Sequence, residues 1–131
     1  MTTQQIEYTI EGRGQKMAFT VARINAAIDA ALTTSTHVQL HTGSPGGSGS
    51  SNVAAGVARA ALSKGTAGSP TNGQSTSTAS WIIPGAGGPY THFSLWTASS
   101  GGTFCGDGTL SPAETFAGSG TLALTMTVTG T

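Results

Sequence analysis

The sequence predicts a mainly β fold: a single antiparallel β-sandwich or barrel-like domain with one N-terminal helix and an extended N-terminal arm. Three observations lead there. Only residues 20–32 space their apolar side chains for a helix. From residue 36 onward, short stretches alternate apolar and polar positions, separated by clusters of glycine, proline or serine. The chain has 131 residues, which is the size of one core, so the strands are expected to share it.

Residues 5–11, QIEYTIE, set Ile6, Tyr8 and Ile10 on one face and Glu7, Thr9 and Glu11 on the other, as in a half-buried strand. GRGQK then breaks the pattern, with Arg13 and Lys16 supplying local positive charge. This opening segment, residues 1–18, is either a strand of the core or an arm laid on a neighbour. Residues 19–131 form the β-sandwich-like body. Within residues 20–32, Val21, Ile24, Ile28, Ala31 and Leu32 make one apolar face, and Thr20 is placed to cap the helix. That face is expected to pack on a sheet.

Strands are expected at residues 36–42, 57–62, 77–84, 90–97, 103–110 and 121–129. In YTHFSLWT, residues 90–97, Phe93 and Leu95 face one way and Tyr90, His92, Ser94 and Trp96 the other. Between the first two strands, residues 40–52 read LHTGSPGGSGSSN, a composition typical of flexible linkers. A break there would leave a first piece of about 42 residues, too small to fold without a staple. A single cysteine, Cys105, and the lack of any Cys/His cluster supply none. The run is therefore read as a long loop inside one domain.

Five basic and five acidic residues give a net charge of zero, and 8% of residues are charged. Such a chain lacks the basic face that nucleic acid requires. It has no basic-then-apolar leader and no apolar run near the ~18 residues of a membrane span. Neither nucleic acid nor membrane is expected as a partner. A surface so poor in charge solubilises itself weakly and suits a chain packed against copies or partners.

His37 and His41 form an H-x3-H pair, but on a strand four residues span ~13 Å, too far to share one ion. No metal or cofactor is expected. The acids are Glu7, Glu11, Asp29, Asp107 and Glu114, with no G-x-S-x-G elbow and no residue order that marks a triad. No catalytic residue is expected, since an enzyme would have to join His37, His41 or His92 to an acid in a cleft. Trp81, Trp96, Tyr90 and Phe93 read either as core or as a carbohydrate-binding platform. Phe93 fits the core by its phase, whereas Trp96, on the opposite phase, is an interface or ligand candidate.

The order of segments adds a further signal. LHTGSP at residues 40–45 precedes a glycine-rich loop and the Ala58-Arg59 pair, and THFSLWTASSGG at 91–102 and GTLSPAETFAG at 108–118 follow. This succession, over about residues 20–129, resembles a widespread family of small tailed-bacteriophage proteins labelled tail fibre-like, minor tail or capsid decoration proteins. Residues 1–18 extend ahead of it, and Ser44 stands where the family commonly has an acid. The resemblance implies a non-enzymatic virion structural protein, made in the host bacterial cytoplasm and carried on the capsid surface or the tail.

The extra N-terminal strand favours an oligomeric decoration protein on the capsid. The alternative is a minor tail or tail-fibre-base protein with a receptor- or glycan-binding role. Expected partners are copies of itself, as a symmetric homo-oligomer and specifically a trimer, and the major capsid protein or tail proteins. The expected interaction residues are Ile6, Tyr8, Ile10, Arg13, Lys16 and Trp96.

Overall fold

The computed structural model describes residues 2–6, 9–12, 15–18, 20–68 and 72–130, and for those before residue 20 the backbone alone. The strands are β1 (Thr2–Ile6), β2 (Thr9–Gly12), β3 (Gln15–Ala18), β4 (His37–His41), β5 (Ala60–Ala61), β6 (Gln74–Ile83), β7 (Gly87–Trp96), β8 (Phe104–Phe116) and β9 (Gly120–Gly130). The helix α1 (Val21–Thr33) lies between β3 and β4.

The strict alternation of β9 buries Leu122, Leu124, Met126 and Val128 on one face. β6 does the same with Ala79, Trp81 and Ile83. The two pair antiparallel over their full length, from Gln74 opposite Thr129 to Ile83 opposite Gly120. β1 joins the other edge of β9 in parallel, giving the order β1-β9-β6. A second, antiparallel sheet runs β5-β4-β7-β8 and contributes Val38, Leu40, Phe93 and Leu95 to the same core.

Two features tie the sheets together, although they do not close into a barrel. Trp81, fully buried on β6, donates its indole N–H to the carbonyl of Val38 on β4 at 3.1 Å. Such a donor in the core needs a partner, and this one lies in the opposite sheet. The chain also turns a corner: Ala60 and Ala61 pair with β4, then Ser63 exchanges two main-chain bonds of 2.8 Å with Thr78 on β6.

Helix α1 buries Ile24, Ile28 and Leu32 and starts at Thr20, whose hydroxyl accepts from the Arg23 N–H at 3.4 Å. It seats on β6 and β9, but Val21 and Ala31, also read into the apolar face, stay exposed. Val21 opens the helix ahead of the first buried residue, and Ala31 lies at the edge of the Ile24–Ile28–Leu32 stripe that meets the sheet. Gly130 makes this approach possible, because a Cβ there would overlap Ile24. At the other end, the Lys64 ammonium donates to the carbonyls of Leu32 and Thr33 at 2.9 and 2.8 Å. These are terminal carbonyls that the helix itself cannot satisfy.

The structure departs from the sequence expectations at five further points. The alternation over residues 5–11 is shared between two pairings, Thr2–Ile6 on β9 and Thr9–Gly12 on β3, since period-two alternation does not specify a partner. β1 is also parallel within an otherwise antiparallel arrangement. The stretch 57–62 forms a ladder only at Ala60–Ala61, because the chain then leaves β4 for Thr78. β8 runs past residue 110 to Phe116. Tyr90, expected on the outward phase, is buried, because register shifts on both sides of it reverse the alternation.

Candidate functional site

β4 is buried on both faces. Val38 and Leu40 meet the core, while Gln39 and His41, on the opposite face, are also covered. The cover is the glycine-serine loop. Main-chain bonds from Thr42 to Asn52 and from Ala54 to Leu40 fold it back, and the Asn52 side-chain amide donates to the Ser44 carbonyl at 2.9 Å. Gln39 donates to the Val57 carbonyl at 3.3 Å. At the tip, Gly49 takes a φ of +71° and lies against the Phe104 ring, where a Cβ would overlap the aromatic carbons. The composition of a linker here serves close packing.

Beneath the loop, three side chains form a chain of hydrogen bonds whose direction chemistry fixes. The Trp96 indole can only donate, and it donates to the Ser94 Oγ at 2.7 Å. The Ser51 carbonyl can only accept, so Nδ1 of His41, 2.8 Å from it, carries a hydrogen and donates it. In the neutral ring Nε2 is then the acceptor, and the Ser94 hydroxyl, 2.7 Å away, donates to it. Burial favours the neutral imidazole, whose single hydrogen then sits on Nδ1. Burial holds its pKa below the ordinary value; the main-chain bonds to Ser51 and Asn52 and the charge of Asp107 oppose this, and His92 adds to it.

Arg59 closes the cluster. Its guanidinium lies 3.9 Å from the centre of the Trp96 ring and donates from Nη1 to the carbonyls of Ala98 and Gly101, both at 2.8 Å. Phe104 stands against Trp96 at 5.6 Å between ring centres. One arginine thereby locks the 98–102 hairpin to the aromatic pair.

A serine hydroxyl within hydrogen-bond reach of an imidazole is the pairing used in nucleophilic catalysis. Here both side chains are 0% exposed, Trp96 occupies the serine lone pair, and Nδ1 faces a carbonyl instead of a carboxylate. Asp107 lies opposite Ser94 in the register. Among the described residues, the arrangement holds a loop to a sheet and offers substrate no access to the hydroxyl.

Of the expected interaction residues, Trp96 falls at the centre of this cluster, half-buried. Ile6 ends β1, and Ile10 and Lys16 lie in the β2–β3 hairpin, opposite Met17 and Glu11 respectively. Tyr8 and Arg13 lie outside the described residues. His37 and His92 bond through Nδ1 to the neighbouring Thr36 and Thr91 hydroxyls, each at 2.8 Å. Sequence reasoning missed the convergence of His41, Arg59 and Ser94. The available signal was that each sits in a segment of the phage-type succession: LHTGSP, Ala58-Arg59 and THFSLWTASSGG.

Residues 18–129 match the family model described as Podophage GP4 fiber I protein gp80. The chain belongs to this family. The tail fibre-like character expected from the resemblance is therefore supported, and the match begins just where the N-terminal extension ends. No curated protein and no solved structure matches the chain. Within this phage fibre family, the chain is a virion-type structural protein whose His41, Arg59 and Trp96 cluster lies wholly inside the matched residues.

Proposed function

We propose that the chain is a non-enzymatic structural part of a tailed-phage fibre apparatus, made in the host cytoplasm and incorporated into the virion tail. Membership of residues 18–129 in a phage fibre family carries this reading. The described cluster supports it, because its histidine and serine are spent on holding a loop in place. Trp96 is engaged by Arg59, Phe104 and Ser94 of its own chain, which favours a scaffolding role over a glycan-binding platform. The protein assembles as a homo-oligomer, in the first instance a trimer, with tail proteins as its neighbours. A chain with 8% charged residues and no net charge suits permanent packing of this kind.

A second reading, decoration of the capsid shell with the major capsid protein as partner, draws on the N-terminal extension. Residues 1–17 lie ahead of the family match and include the strand that adds to β9 through main-chain pairing. Edge addition of this type needs little side-chain specificity and suits an arm that clamps a neighbour.

Virions produced without this protein distinguish the two. The fibre reading expects filled, stable heads with defective fibres and poor adsorption. Intact fibres with normal adsorption, and heads that burst on mild heating, would transfer the protein to the shell.

A further inference from the structure

Asn72 and Gly73 make the one Asn-Gly pair in the chain. Asn72 is exposed, and the pair lies in the turn that leads into β6. A glycine has no Cβ to keep its nitrogen away from the preceding side chain, so this pair is the readiest to lose an amide. Base first removes the hydrogen of the glycine N–H. The nitrogen then bonds to Cγ of the asparagine, the Cγ–Nδ2 bond breaks, and Nδ2 leaves with a proton as ammonia. Water opens the cyclic imide to aspartate or isoaspartate, with nothing oxidised or reduced. Isoaspartate would add a main-chain carbon beside Gln74, which opens β6 opposite Thr129.

The structure obstructs the deprotonation and the ring closure. The Gly73 N–H donates to Oδ1 of Asn25, on α1, at 2.7 Å, and Gly73 is buried. The hydrogen is therefore withheld from solvent base, and the lone pair left by its removal would point at Asn25, away from Asn72. Ring closure needs the reacting atoms aligned at about 3–3.5 Å, so the turn would have to rotate. Two main-chain bonds oppose rotation: the Gly68 N–H to the Gln74 carbonyl and the Gly130 N–H to the Gly73 carbonyl, both at 2.8 Å. Gly68 also leaves Asn25 its place, since a Cβ there would come within 2.7 Å of Nδ2.

We propose that Asn72 is a latent deamidation site and that Asn25 keeps it unreactive. The proposal is independent of whether the chain serves the tail or the shell. Its test is peptide mapping by mass spectrometry of the full chain after incubation in mildly alkaline buffer. The same chain held unfolded in guanidinium chloride is the reference. Amide-to-acid conversion at Asn72 should be at least about tenfold slower in the folded chain. Asn25→Ala, shown to be folded by circular dichroism, should lose most of that protection, and Asn25→Asp, which keeps an oxygen acceptor, should retain it. Equal rates in the folded and unfolded wild type overturn the proposal, whether or not a variant folds. A folded Asn25→Ala chain that converts as slowly as the wild type also overturns it, because the turn alone would then protect Asn72.

Discussion

The Ser94 hydroxyl lies 2.7 Å from Nε2 of His41, and the Ser51 carbonyl, which holds the hydrogen of the neutral ring on Nδ1, makes serine the donor. The loop thereby sets the tautomer of a histidine on β4, and that histidine joins the Ser51 carbonyl, and with it the glycine-serine loop, to Ser94 on β7.

Stability should fall as the solution is acidified. Unfolding frees His41 to titrate near its ordinary pKa of about 6.5, while the folded chain resists protonation. Between those two values the unfolded chain binds more protons, so the contribution is intact above about pH 6.5 and is lost as pH drops through the window. Urea unfolding at about pH 7.5 and about pH 5 should show this loss, and His41→Gln should flatten the difference.

Ser94→Ala should destabilise the protein by roughly 1–3 kcal/mol, because it leaves both the Trp96 N–H and His41 Nε2 unpartnered in the interior. Trp96→Phe removes the donor and part of the ring beneath Arg59, and should spare the Ser94–His41 bond. A double-mutant cycle on Ser94 and Trp96, read by urea unfolding, should return a non-additive term.

Arg59→Lys should not substitute for arginine. The guanidinium lies over the Trp96 ring while its Nη1 serves two carbonyls. An ammonium can serve two carbonyls, as Lys64 does, but cannot reproduce the planar contact with the indole at the same time. A loss of about 1–2 kcal/mol is expected, accompanied by faster hydrogen exchange in residues 98–102.

Gly49→Ala should loosen the loop tip. The substitution forces an L side chain into a φ of +71° and drives its Cβ into the Phe104 ring. A cost of about 1–3 kcal/mol is expected, with raised hydrogen exchange over residues 46–52 and an unchanged core.

The parts of this fold written in local periodicity were legible. The alternation in β9 reports one buried face and is buried as read. Of the helical face Val21, Ile24, Ile28, Ala31 and Leu32, the residues Ile24, Ile28 and Leu32 are buried while Val21 and Ala31 are exposed. Burial that depends on a distant segment was not legible. Gln39, His41 and Ser94 lie on the polar phase of their strands and would face solvent if the loop at residues 43–57 stood away from the sheet. They are buried because that loop, whose composition resembles a flexible linker, folds over them through main-chain bonds. Ser94 and His41 are separated by 53 residues, beyond the reach of any spacing rule. Tyr90 was misplaced for a related reason, since a shift in strand register leaves no mark in a count of alternating residues.

A tail location for this member of a phage fibre family can be seen in intact virions imaged with a gold-labelled antibody against the chain. Label should be confined to the tail and its fibres, at a small number of symmetric positions. Label spread evenly over the capsid shell, with none on the tail, would contradict it.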